Sequence, residues 1–202
     1  MSDADGERWN HNIHYHPVIL RAVPGDCRRV LDAGCGDGVL SRELRRVVPL
    51  VTAIDVDAES IDLAREQTGR RDVDYVLGDF LTHPFEPASF DLVVSVAALH
   101  HMDMATALDR MRRLLRPGGV LAVVALARDR YPADLPFAVA GAIGARLHRL
   151  NKTDHPCAAP TVWPPPTTFG EAREIACRLL PGVRYRRHLL WRYSLVWSKP
   201  TR

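Results

Sequence analysis

The chain has 202 residues and a mass of 22.6 kDa, with 47% hydrophobic and 25% charged side chains. That is the make-up of one ordinary globular domain, and it excludes disordered, collagen-like and coiled-coil chains. A net charge of +3 is too small to serve as an electrostatic footprint for nucleic acid. The longest uncharged apolar runs, 120–127 and 135–145, fall short of the roughly 18 residues a membrane span requires, so no transmembrane helix is expected. The first seven residues are acidic and lack an apolar h-region, which predicts a cytoplasmic chain without a secretory signal. Cys27, Cys35, Cys157 and Cys177 form no Cys-x-x-Cys pair, so reduced thiols are expected rather than a zinc knuckle or redox motif.

From residue 28 to 126, short β-branched runs alternate with helical stretches, the pattern of strand–helix–strand units on a parallel sheet. Strands are predicted at 29–33, 51–55, 73–77, 91–96 and 120–126, with helices at 38–47, 58–67 and 104–115. Asp103 is the predicted N-cap of the last helix, and Pro117-Gly118-Gly119 its predicted stop. Beyond residue 127 the rhythm changes. An apolar helix over 135–150 and a proline-rich loop over 153–168 make up an insertion. Thr168 to Glu171 has the spacing of a capping box opening a helix over 169–180. Strands at 183–190 and 192–198 are placed to close an antiparallel hairpin, with Arg184, Arg186 and Arg187 marking a charged edge strand.

The most informative stretch is Val30-Leu31-Asp32-Ala33-Gly34-Cys35-Gly36-Asp37-Gly38, where the first strand turns into the first helix. Alternate glycines allow a ligand close to the backbone, and the helix that follows offers unpaired amides to a negative group. Asp55 ends the second strand 19 positions after Gly36, where a carboxylate can accept hydrogen bonds from ribose hydroxyls. Together they point to a nucleoside-containing cofactor. A nicotinamide dinucleotide requires Gly-x-Gly-x-x-Gly or Ala, and neither register allows it, since the third positions are Val39 and Ser41. Asp32 would repel a pyrophosphate but attract an amino group or a sulfonium. That sign favours S-adenosylmethionine.

On these residues the sequence resembles the class I S-adenosylmethionine-dependent methyltransferases, in particular the small-molecule branch containing the ubiquinone and menaquinone methyltransferases. Asp32 to Gly38 matches the family's acid-x-Gly-x-Gly-x-Gly signature, and Ile54-Asp55 its acid after the second strand. Leu77-Gly78-Asp79-Phe80 is similar to its adenine segment. Leu99-His100-His101-Met102 and Leu114-Leu115-Arg116-Pro117-Gly118-Gly119 are similar to phrases of the branch. The resemblance implies an α/β fold: a Rossmann-like, doubly wound, seven-stranded sheet of order 3-2-1-4-5-7-6 with strand 7 antiparallel, in a single domain. It also implies a cofactor site. Asp32 would hold the methionine end, Gly34, Cys35 and Gly36 line the loop, and Asp55 and Val56 take the ribose side. Asp79 and the Phe80 backbone would meet adenine, with Val96 beside the loop. The domain then divides into an N-terminal cap over 1–27, a cofactor core over 28–126, an acceptor-side insertion over 127–168, and a closing helix and hairpin over 169–202.

Methyl transfer from a sulfonium is an in-line displacement governed by positioning, and a general base adds roughly 10²- to 10⁴-fold when the acceptor must lose a proton. His100 and His101 follow the fourth strand at the carboxyl edge of the sheet and are the candidate bases, His100 also as an acceptor contact. The ring-rich segment Trp9 to His16 is read as a cap over cofactor and acceptor, with Asn12, His14 and Tyr15 as its contacts. A metal site on His11, His14 and His16, or a plain amphipathic helix start, are its other readings. Trp163 in the proline-rich loop is a candidate acceptor contact or a core plug. If the insertion is a lid, the acceptor has an aromatic or lipid-like part. Two rivals share the fold. A nucleic-acid methyltransferase would carry Asn/Asp-Pro-Pro-aromatic after the fourth strand, where this chain has Ser95-Val96-Ala97-Ala98-Leu99. A cofactor-binding protein without methyl transfer would keep the same loop.

Overall fold

The computed structural model describes residues 12–68, 73–130 and 164–201. A 3₁₀ turn at Ile13–Tyr15 leads into the short helix α1 (His16–Leu20). The core then runs β1 (Arg29–Ala33), α2 (Val39–Arg45), β2 (Leu50–Asp55), α3 (Ala58–Thr68), β3 (Asp74–Leu77) and β4 (Phe90–Val96). A second 3₁₀ turn, Leu99–His101, precedes α4 (Met104–Leu114) and β5 (Leu115–Leu126). The chain closes with α5 (Phe169–Leu179), β6 (Arg184–Arg187) and β7 (Arg192–Ser198).

The seven strands form one sheet in the order β3-β2-β1-β4-β5-β7-β6. Strands β1 to β5 pair in parallel, and β7 runs antiparallel to both β5 and β6. This is the architecture that the resemblance implies. Period-two alternation divides the core between the two faces of the sheet. Leu31, Val93, Leu121 and Val123 pack under α4 and α5, against Leu108, Met111, Phe169 and Ala172. Val30, Leu92, Val94 and Val124 point the other way, against Ile19 of α1 and Leu40 and Leu44 of α2. Covered on both faces, the central strands are nearly all apolar.

Two local devices match the sequence reading. The Asp103 carboxylate accepts from the Thr106 amide at 2.8 Å, and Thr168 and Glu171 form a reciprocal capping box. The stop of α4 differs. The helix ends at Leu114 and β5 begins at once, running through Pro117-Gly118-Gly119. These glycines extend the ladder because the C-terminal segment pairs with them: Gly118 N donates to Lys199 O at 3.0 Å and Lys199 N to Gly119 O at 2.8 Å. The Lys199 ammonium closes α4, donating to the carbonyls of Arg112 and Leu115 at 3.0 and 2.7 Å.

Strand β6 is also shorter than the pattern predicts, because Leu190 and Trp191 adopt left-handed backbone (φ 59° and 57°) and turn the chain early. β6 does lie at the sheet edge, and Arg184 and Arg186 are exposed. Arg187 is no mere edge charge. It pairs with the buried Asp129 carboxylate at 2.7 Å, and its guanidinium stacks 3.8 Å from the Phe169 ring centroid. The two flanks of the insertion lie side by side, with Arg128 N donating to Thr167 O at 3.0 Å and a parallel bridge joining Arg128 to Thr168. The predicted helix over 135–150, most of the proline-rich loop and Trp163 lie outside the described residues.

Candidate active site

In a doubly wound sheet the ligand crevice opens at the carboxyl ends of the strands where the chain order reverses, here between β1 and β4. The β1 exit is shaped by backbone. Gly34 N and Cys35 N both donate to Ile54 O of β2, at 2.8 and 3.2 Å, which pins the loop to its neighbour. Gly34 sits at φ +76°, and a Cβ there would collide with the Ala98 methyl beyond β4. Gly36 is the opposite case: its φ is +53°, but a Cβ would meet nothing within 4 Å. One glycine lets two loops touch, and the next faces open space. The following helix, α2, is only seven residues long and starts at Gly38 without a side-chain cap, so the cradle rests on loop geometry rather than on a helix dipole.

Two carboxylates flank this loop. Asp55, half-buried, accepts from Gly36 N through Oδ2 at 2.8 Å and from Asp57 N through Oδ1 at 3.0 Å. Each oxygen keeps a further lone pair for a hydroxyl donor, so the carboxylate is aimed before any ribose arrives. Asp32 is 1% exposed and accepts from the Ser41 hydroxyl at 2.7 Å. Burial pushes its pKa up to about 6, against the opposing pull of the Ser41 hydrogen bond and of the His16 charge. It remains largely ionised at neutral pH. Burial also raises the Cys35 thiol far above its ordinary range, which leaves Cys35 as loop lining and not a nucleophile.

On the β2–β3 side, Val56 is 68% exposed and Leu77 50% exposed, an apolar pair at two strand exits. Asp79 is exposed and accepts from Leu81 N at 2.8 Å. The Phe80 side chain is buried in the core, and its carbonyl accepts from Arg110 Nε.

Across the crevice, Val96 ends β4 half-buried, and Ser95 Oγ donates to Ala33 O at 2.8 Å, tying the two strand ends together. Ala97 is forced to φ 54°, a left-handed conformation in a non-glycine residue, immediately before the 3₁₀ turn carrying the histidines. The His100 and His101 rings lie 4.0 Å apart. His100 is half-buried, its Nδ1 lacks a hydrogen-bond partner, and burial, with the His101 and Arg192 charges, depresses its pKa to about 4. It is therefore neutral throughout the physiological range. His101 is exposed.

The N-terminal segment reaches this edge. Asn12 Oδ1 accepts from Arg192 at 2.6 Å, and the Tyr15 hydroxyl donates to Leu189 O at 2.8 Å. Tyr15 is 6% exposed and packs with Ile19 and Leu190 in the core, while the His14 ring meets it edge-on at 4.8 Å. Removing Tyr15 would therefore weaken folding as well as any cap. Motif spacing did not single out Ser41, Ala97 or Arg192, whose places arise from contacts across the fold. It offered His16 only as a metal ligand with His11 and His14; His11 lies outside the described residues, and His16 pairs with Glu43 at 3.0 Å.

These residues fit S-adenosylmethionine: an open glycine cradle, a buried anion on one side and a preoriented carboxylate on the other. The comparisons agree. Residues 31–123 match the family described as a methyltransferase domain. An uncharacterized methyltransferase of Mycobacterium bovis is 39% identical over 194 residues, covering 95% of this chain and 98% of that protein. A ubiquinone biosynthesis O-methyltransferase of Xylella fastidiosa is 40% identical over 131 residues, covering 61% of this chain and 51% of the relative. Among solved structures, the N-methyltransferase NodS of Bradyrhizobium japonicum superposes with a TM-score of 0.64 at 21% identity, covering 93% of this chain and 96% of that one, and so shares the fold. The chain belongs to the methyltransferase-domain family. It is an S-adenosylmethionine-dependent methyltransferase.

Proposed function

We propose that the enzyme methylates a small molecule with an aromatic or apolar part, with Asp32, Gly34, Gly36 and Asp55 holding the cofactor and His100 facing the acceptor. The observation that carries this reading is the open face of Gly36 between the Asp32 and Asp55 carboxylates, across the crevice from the His100 turn. Bound there, S-adenosylmethionine supplies an electrophilic methyl on a cationic sulfur that departs neutral. Asp32 offers a negative charge to the ammonium of the methionine end, and Asp55 accepts from the ribose hydroxyls. Val56 and Leu77 give adenine an apolar seat beside Asp79 and the Phe80 backbone.

His100, being neutral, keeps one unprotonated ring nitrogen. Its depressed basicity suits it to orient an acceptor hydroxyl and share its proton rather than to store a full charge. Similarity to a ubiquinone biosynthesis O-methyltransferase supports an oxygen acceptor on an aromatic ring. No helix among the described residues is long and apolar enough to cross a membrane. The free thiols of Cys27, Cys35 and Cys177 support a reducing, cytoplasmic setting.

Titration calorimetry with S-adenosylmethionine and S-adenosylhomocysteine, followed by native mass spectrometry for a co-purified acceptor, tests this function. Saturable binding of both, with methyl transferred to a small aromatic or apolar compound, is the expected result. Binding of neither would overturn it.

A further inference from the structure

The turn between β6 and β7 gathers contacts from three directions. Arg192, 7% exposed, donates from one terminal nitrogen to Leu190 O at 2.8 Å, closing the turn, and from the other to Asn12 Oδ1 at 2.6 Å. Its guanidinium lies 5.8 Å from the Tyr15 ring centroid, and the Tyr15 hydroxyl donates to Leu189 O in the same turn. On the other side, Trp191 Nε1 donates to Asp129 at 2.8 Å and Ala127 N to Trp191 O at 3.1 Å, joining the turn to the exit of β5. Because β7 is antiparallel and Arg192 is in register with Leu126, this knot lies at the ligand edge of the sheet. Leu190 and Trp191 both hold left-handed backbone, which bulky side chains adopt only when their surroundings fix it.

We propose that Arg192 is a positioning residue for methyl transfer: it fastens the N-terminal segment, through Asn12 and Tyr15, onto the β6–β7 turn at the cofactor edge. A buried guanidinium suits this task because its planar fork holds two acceptors in one fixed geometry, whereas a lysine ammonium sits on a flexible stem and leaves that geometry loose. Its charge also reaches the acceptor side. His100 is flanked by His101 on its own turn and by Arg192 from β7, and both disfavour a proton on the imidazole. One side chain thus holds the N-terminal segment in place and adds, after burial and His101, to what keeps the neighbouring histidine neutral. The inference rests on the proposed function for its choice of ligand.

The test compares Arg192→Gln, Arg192→Lys and Asn12→Ala in the full chain, with S-adenosylhomocysteine as the probe. Three readouts are taken: calorimetric affinity, amide exchange over residues 13–20, and the NMR titration midpoint of His100. Losing a charge-assisted hydrogen bond predicts about tenfold weaker affinity and faster exchange in Arg192→Gln and Asn12→Ala. The His100 midpoint should rise in Arg192→Gln but stay put in Asn12→Ala and Arg192→Lys, a pattern that a purely structural arginine would not produce. Should Arg192→Gln fail to fold, Asn12→Ala and Arg192→Lys carry the test. Unchanged affinity in Asn12→Ala, or a His100 midpoint identical in wild type and Arg192→Gln, overturns the inference. Wild-type protein that does not bind S-adenosylhomocysteine overturns the proposed function instead.

Discussion

The two sides of the crevice are built by different means. On the β1–β2 side the loop is shaped by its own backbone, with glycines at positive φ, amides pinned to Ile54 O, and Asp55 reaching back only 19 residues to Gly36. On the β4–β7 side the arrangement depends on side chains that meet across the whole chain, as Arg192 meets Asn12 over 180 positions. A backbone-built site tolerates little substitution but leaves a strong trace in sequence. A side-chain-built site can be rebuilt for a new acceptor without disturbing the cofactor, a division that suits a family with one cofactor and many substrates.

The glycines break this comparison most directly. Gly34→Ala combines a left-handed backbone, at about 1–2 kcal/mol, with overpacking against Ala98, at about 1–3 kcal/mol. Urea denaturation should show a loss of roughly 2–5 kcal/mol, together with lost cofactor binding, and Ala98→Gly in the same chain should restore part of the stability. Gly36→Ala pays only the backbone strain, since its Cβ meets open space. It should lower stability by about 1 kcal/mol while weakening S-adenosylhomocysteine more than that strain explains. An affinity for S-adenosylhomocysteine unchanged in Gly36→Ala would mean that Gly36 faces no ligand.

Asp55 sharpens the same side with a smaller effect. Asp55→Ala should weaken S-adenosylhomocysteine more than about tenfold in a protein that remains folded, because lost charged hydrogen bonds to ribose are worth more than neutral ones. The Gly36 and Asp57 amides also lose their acceptor, so Asp55→Asn, which keeps one carbonyl oxygen, should fall between wild type and alanine. An unchanged dissociation constant in calorimetry would remove Asp55 from the ribose role.

The same contrast explains what could be read in the sequence. The strands of the core were legible because each is a short apolar run, whereas the order and direction of all seven came only from the family resemblance that the motifs at the strand exits carry. Asp32, Gly34, Gly36 and Asp55 converge in space as they do in sequence. Strand and helix ends misread at 115–119 and 188–191 depended on partners far along the chain: Lys199 for the glycines, and Asn12, Tyr15 and Asp129 for the turn at Leu190 and Trp191. Arg187 illustrates the limit, for three arginines in four positions signal an exposed edge, and only the fold brings Asp129 and Phe169 to one of them. His100 was found by its place after β4, but its neutrality comes first from burial, with His101 and Arg192 adding to it, and burial is visible only in the fold.

The smallest expected effect is also the most diagnostic, because the two sides respond to pH with opposite signs. Asp32 titrates at about 6 in the fold against an ordinary 3.8, so between those values the folded state holds a proton that the unfolded state has released. Its contribution to stability is full below pH 3.8 and declines as pH rises to 6. His100 titrates at about 4 in the fold against 6.5, so in nearly the same window the unfolded state holds the extra proton, and stability declines as pH falls from 6.5 to 4. In the wild type the two slopes oppose each other, and stability between pH 4 and 6 should vary little on their account. Removing one uncovers the other: Asp32→Asn should give a stability that climbs with pH through this window, and His100→Gln one that falls. Denaturation curves at several pH values read both slopes, and parallel profiles in the two variants would show that neither group is buried as the fold places it. Cofactor affinity adds an independent sign, since the ammonium of S-adenosylhomocysteine favours ionised Asp32. Affinity should rise from pH 5 to pH 7 by up to about tenfold in wild type and stay flat in Asp32→Asn.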